Sequence, residues 1–288
     1  MTPGWAAERP PSNMSSSVGT LRPVMVVAVL SLPPGVRAAS WEVGMSEGWT
    51  GVCLSAVRKD AEDGSRKIQQ QYVDQYGGMA VRSWSVPTVG VSSELRMGYH
   101  PEKWGSLGIE ARLSLLVLPS TANVVRGMYG KYQATLDSSE SFTSHVWSFM
   151  PGVTYEVPLS ERISAKLSAH AGGTAAWVDQ RWTYQNHSYF FDSGWTEAVL
   201  PYLGLGGAFE CDLAFTYSLG PTTSVFLEAE IHSLYIRRVE LRKDIDLDGN
   251  GVVDYYKGSY LGFGPGKELA FDYSGAGIRI GTSYHFGR

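Results

Sequence analysis

From Val225 to Arg242 the chain alternates with a period of two. The odd positions read V, L, A, I, S, Y, R, V, L and the even positions F, E, E, H, L, I, R, E, R. Seven of the nine odd residues are apolar, and six of the nine even residues are charged or His. A helix could also put Leu227, Ile231, Leu234 and Tyr235 on one face, but sustained alternation favours a strand. The same period runs through Val89–Tyr99, Leu107–Val117, Trp147–Val157, Ile163–Ala171, Leu203–Tyr217 and Ile278–Phe286, and more weakly through 48–57. Eight strands are therefore predicted, each longer than the five or six residues usual in soluble sheets.

The connections alternate as well. Long polar stretches are expected over 58–84, 120–143, 179–196 and 242–266, and short turns at His100–Gly105, Pro158–Arg162 and Leu219–Thr223. Four long and three short links between eight antiparallel strands place every long loop at one end. That predicts an all-β chain, an eight-stranded antiparallel up-and-down transmembrane β-barrel with long external loops. No segment beyond the first forty residues is apolar for the ~18 residues a membrane helix needs, whereas a tilted membrane strand needs only about 9–11. Parity alone does not say which face is inside. A soluble barrel would turn its apolar face inward; Tyr99, Trp104, Trp177, Trp182, Trp195, Tyr217 and Tyr284 near strand ends favour the membrane.

The N-terminus adds to this. Arg22 precedes the apolar run Val24–Leu32, then a Pro-Pro-Gly break and the small-residue site around Ala38. Residues 1–38 read as an export signal, with Met14 an alternative start, and 39–288 as the barrel domain. Lys and Arg total 24 against 28 acids, are scattered and form no basic run, which excludes nucleic acid as a partner. Sixteen Tyr, nine Trp and 33 Gly suit turns and a boundary between two solvents. Two cysteines far apart, Cys53 and Cys211, read as small packed residues rather than as a disulfide framework.

On these features the chain resembles the small bacterial outer-membrane β-barrels, the eight-stranded OmpA/OmpX-like family. The sharpest motif is the last strand, GAGIRIGTSYHF, whose Ile278, Ile280, Tyr284 and Phe286 match the alternating, aromatic-ended strand recognised during assembly. The family strand usually stops at the aromatic residue, whereas Gly287 and Arg288 follow here. The resemblance implies an outer-membrane location, with membrane lipid and the barrel-assembly machinery as partners, and a monomer is expected.

If the charged parity is internal, the lumen collects Glu94, Glu110, Glu156, Glu210, Asp212, Glu228 and Glu230 with Arg96, Arg112, Lys166 and Arg279, plus His170, His232 and His285. An eight-stranded barrel is only wide enough for side chains to fill, so a closed salt-bridge network is expected ahead of a narrow cation-favouring pore. Barrel-based enzymes need a Ser, His and carboxylate in register. The nearest cluster, Asn186–Ser188, lies in an expected loop, so no catalytic site is assigned.

The remaining motif is D-L-D-G-N-G-V-V-D. Asp246, Asp248, Asn250 and Asp254 occupy positions 1, 3, 5 and 9 of an EF-hand-like loop, Gly251 position 6 and the Val252 carbonyl position 7. Lys257 stands where the bidentate Glu belongs, with Asp244 as a substitute ligand. Weak calcium binding and an Asp/Asn/Gly turn are weighed equally, and no cofactor is required. The function expected is structural or surface-interactive (membrane integrity, adhesion) or minor passive transport. A barrel-based enzyme acting on lipid or peptide and a secreted calcium- or ligand-binding β-protein are the alternatives.

Overall fold

A computed structural model describes residues 40–54, 79–85, 88–101, 104–129, 134–187, 192–246, 251–261 and 269–286. The signal segment 1–38, its alternative start at Met14 and the cleavage site lie outside the described residues.

Among the described residues eleven strands form one sheet. Eight are long: β1 (Ser40–Gly51), β3 (Val89–His100), β4 (Leu107–Tyr129), β5 (Ala134–Pro158), β6 (Ile163–His187), β7 (Asp192–Ser218), β8 (Thr223–Ile236) and β11 (Gly275–Phe286). They pair antiparallel in the order β8-β11-β1-β3-β4-β5-β6-β7, and β7 pairs with β8 to close the ring. Closure leaves the ring no free edge, which suits strands that cross a membrane. Three short strands attach outside it: β2 (Met79–Ser85) along the distal half of β4, β9 (Glu240–Leu241) on β7, and β10 (Phe271–Asp272) on β8.

At one end the links are tight. Leu159 N–H donates to Ile163 O at 2.8 Å and Leu219 N–H to Thr223 O at 2.9 Å. Gly105 supplies the left-handed turn before β4, with φ +59°. The chain end pairs here too, Phe286 opposite Trp41.

The opposite end differs from the sequence expectation. Much of 120–143 and 179–196 is strand rather than loop, because β4, β5, β6 and β7 continue as two long hairpins. The register slips between Leu118 and Thr121, where Pro119 breaks the ladder. Beyond that slip the strands continue as a wall, with β2 along one edge. Polar composition had marked these stretches as loops. The weak strand placed at 48–57 is β1, which begins eight residues earlier.

Parity resolves as the membrane reading requires. Met45, Trp49, Leu95, Leu113, Phe149, Val153, Leu205, Leu213, Leu227, Ile231, Ile278 and Ile280 all face outward and exposed, while the alternate residues are buried inside. Exposed apolar surface wrapping an entire sheet has no place in water and matches lipid. Tyr155, Tyr217, Tyr284 and Phe286 mark the outer wall at the tight-turn end, and Trp49, Trp147, Trp177 and Tyr235 mark it toward the long-loop end.

Candidate functional site: a doubly filled lumen

Inward-facing positions build two stacked layers. The first is ionic. Arg112 on β4 is fully buried. Its Nε donates to Glu110 Oε1 at 2.7 Å, and its Nη1 donates to Glu210 Oε1 at 2.6 Å and to Glu228 Oε1 at 3.3 Å. The same nitrogen lies 3.0 Å from Asp212 Oδ2. Arg96 on β3 donates to Glu228 Oε2 at 3.1 Å and stacks its guanidinium 3.4 Å from the Phe226 ring centre. Lys166 on β6 bridges Glu110 Oε2 at 2.6 Å and Glu42 Oε2 at 3.3 Å. Arg279 on β11 pairs with Glu94 and Glu230, and with Glu210 at 2.9 Å. His170 lies between Glu110 and Asp212, its ring nitrogens 3.5 and 3.6 Å from their oxygens.

These residues come from seven different strands, so the network ties the ring across its lumen. Glycine makes the room: a Cβ on Gly48 would fall 2.8 Å from Arg279 Cγ, and one on Gly152 would fall 2.7 Å from His170 Cγ.

Eleven of the fourteen predicted lumen residues meet in this layer: Glu94, Arg96, Glu110, Arg112, Lys166, His170, Glu210, Asp212, Glu228, Glu230 and Arg279. His232 lies at its upper boundary, its Nε2 2.9 Å from Tyr273 O. Glu156 and His285 do not join it. They sit at the tight-turn mouth, where Glu156 accepts from Ser164 Oγ at 2.5 Å and His285 Nε2 lies 3.0 Å from Ser224 Oγ. Glu42 joins the layer unforeseen. Its signal was in the sequence, since Glu42, Gly44, Ser46, Gly48 and Thr50 alternate with Val43, Met45 and Trp49. Glu47, outward among Met45 and Trp49, breaks that pattern and hid the strand's start.

The second layer is apolar and lies toward the long-loop end. Leu116, Leu118, Val146, Met150, Ala176, Val178, Leu200, Tyr202, Leu234 and Ile236 line the wall. The β8–β11 connection closes over them, burying Val239, Leu241, Leu261, Leu269, Phe271 and Tyr273. Val52 and Leu54 enter from the end of β1. Leu54 holds φ +41° to do so, and its N–H donates to Asp272 O at 2.8 Å. Tyr273 O–H donates to Ser144 Oγ at 3.1 Å, so this buried hydroxyl has a partner. The sequence reading missed the layer, because six of its residues come from the β8–β11 connection, in short pieces rather than in one long strand.

At the mouth Ser224 contacts both Ser283 Oγ, at 2.8 Å, and His285, but it is 1% exposed and closed to any acyl substrate. Of the Asn186–Ser188 cluster, Ser188 lies outside the described residues.

The calcium motif is half described, since Asp248 and Asn250 also lie outside. Around it Ile245 and Tyr255 exchange backbone hydrogen bonds and close the segment as a β-type loop, not between helices. Asp246 Oδ2 accepts from Gly251 N–H at 2.7 Å and Asp244 Oδ1 from Lys257 N–H at 2.6 Å. Val252 is 63% exposed, and Asp254 donates its N–H to Ile245 O at 2.8 Å. Cys53 and Cys211 are both free; Cys53 is exposed, not packed as the sequence suggested.

The sequence matches no protein-family model and no curated protein. Among solved structures it is similar to OprG of Pseudomonas aeruginosa, at 12% identity and TM-score 0.38, over 88% of this chain and 98% of that one. It is also similar to Ail of Yersinia pestis, 10% identical, TM-score 0.32, over 85% and 99%. A third is Neisserial surface protein A, 8% identical, TM-score 0.32, over 86% and 99%. The assignment stands on the chain's own geometry: ring closure, an apolar exterior and an ionic interior make it an eight-stranded antiparallel transmembrane β-barrel.

Proposed function

We propose that this barrel is an exported outer-membrane protein that works through its external face, in envelope integrity or surface contact, rather than through its lumen. The observation that carries the reading is the double filling. An ion crossing would have to break the Arg112 network and then pass an apolar layer in which Ile236, Val239 and Tyr273 have no exposure. Such a path costs desolvation at one layer and has no polar lining at the other. The external sheet, by contrast, is large: β4 to β7 run for 23 to 27 residues, about twice the 12 of β1, β3 and β11. A membrane crossing needs only about 9–11 residues per strand, so the surplus supports a role outside the bilayer.

The test is to replace residues 120–141 by a short turn and follow surface adherence of cells making the protein. Retained heat-modifiable gel mobility with lost adherence is expected. Unchanged adherence and envelope resistance, with the folded barrel at normal surface levels, would remove the role.

A further inference from the structure

Four cations stand close together in Arg237–Lys243: Arg237, Arg238, Arg242 and Lys243, with Glu240 the one acid among them. All five side chains are exposed. Taken as sequence, the stretch is only a continuation of an alternating strand, and the chain as a whole has a net charge of −4.

The fold gives it a place. Ile236 and Val239 are fully buried and Leu241 is 2% exposed, all three in the apolar layer. Leu241 pairs with Tyr202, and Arg242 N–H donates to Pro201 O at 2.9 Å. With the apolar residues anchored inward, the cations between them are held outward. Arg238 stacks 4.7 Å over the Tyr260 ring and lies 3.8 Å from Glu240, both about half exposed.

Their level is also fixed. Arg237 comes two residues after Tyr235, the exposed aromatic of β8. Glu240 pairs with Leu203, which pairs with Trp177, so the segment runs alongside the aromatic row at the upper edge of the apolar band. Lipid phosphates lie immediately outside such a row. A guanidinium fork matches a phosphate in geometry as well as charge, and basic residues beside a bilayer draw anionic headgroups.

We infer that Arg237, Arg238, Arg242 and Lys243 form a binding surface for the phosphate of a lipid headgroup in the leaflet they face. The inference rests on the reading that the apolar band is embedded in a bilayer. It adds a specific partner class to that reading, and the four side chains act together on a phosphate too exposed for any one of them to hold.

The full chain, folded into vesicles of phosphatidylcholine with a minority of phosphatidic acid and then extracted into mild detergent, provides the test. Mass spectrometry reads the lipid retained. Enrichment of phosphatidic acid by about tenfold is expected, falling to none in a variant carrying R237Q, R238Q, R242Q and K243Q. R162Q, in a tight turn at the opposite end, should leave it unchanged, and heat-modifiable mobility should show all three proteins folded. Equal enrichment in the fourfold variant overturns the inference. So does displacement by inorganic phosphate, which would indicate a free-ion site. Insertion without enrichment overturns it while leaving the bilayer reading intact, and failure to insert overturns both.

Discussion

The two halves of the lumen solve one problem in opposite ways. The ionic layer fills the ring with long charged side chains whose burial is tolerable only because each meets several partners at once. The apolar layer fills it with aliphatic side chains and the rings of Tyr202, Phe271 and Tyr273, and draws six of its residues from a connection folded back into the mouth. The difference teaches where stability is fragile. In the ionic layer one deletion strands several charges; in the apolar layer it leaves only a hole.

The sharpest break of the comparison is therefore Arg112→Ala. It leaves Glu110, Glu210, Asp212 and Glu228 facing one another, and we expect the folded barrel to lose about 3–5 kcal/mol in urea titrations in lipid. Arg112→Met should cost less than a simultaneous loss of its partners would suggest, because volume is kept; equal stability of Arg112→Ala and wild type would mean the layer is not a network. Leu241→Ala tests the other layer. The expected cost is about 2–4 kcal/mol, scaling with the hole left behind. A smaller loss would indicate that the β8–β11 connection does not seal the mouth.

Phe286→Ala moves the comparison to assembly. Its ring ends the closing strand beside Tyr284, with ring centres 6.3 Å apart. Surface levels of the variant should fall while refolded protein keeps near-normal stability, and normal surface levels would count against the assembly role. Glu47→Leu should have a small stabilising effect of about 1 kcal/mol, since this acid faces lipid among Met45 and Trp49. A loss of stability would place Glu47 in a contact that its outward position does not suggest. Least of all, millimolar calcium should slow protease cleavage within 242–266. Identical cleavage with calcium and with chelator would leave the Asp246 loop as a turn held by its own hydrogen bonds.

Much of the ionic layer was legible in the sequence because strand parity is strict. Once Leu107, Ile109, Ala111 and Leu113 share a face, Glu110 and Arg112 must share the other. Parity fails where a residue faces the unusual solvent. Glu47 points to lipid, so β1 looked shorter than it is and Glu42 went unplaced. It also fails beyond the membrane, where β4 and β5 continue through polar residues at 120–143 that look like loop. The apolar layer was illegible for another reason. Leu261, Phe271 and Tyr273 lie in short, irregular pieces whose burial depends on where the chain turns, and Val239 and Leu241, on the same parity as Leu227 and Ile231 in the sequence, turn inward because β8 ends at Ile236 and the alternation shifts past Arg237 and Arg238.

The central claim is that the lumen is closed, and single-channel recording of the folded protein in planar bilayers tests it most directly. The account predicts a silent membrane at neutral pH, with wild-type protein demonstrably inserted. Steady, ohmic, cation-selective steps from the wild-type barrel would contradict it.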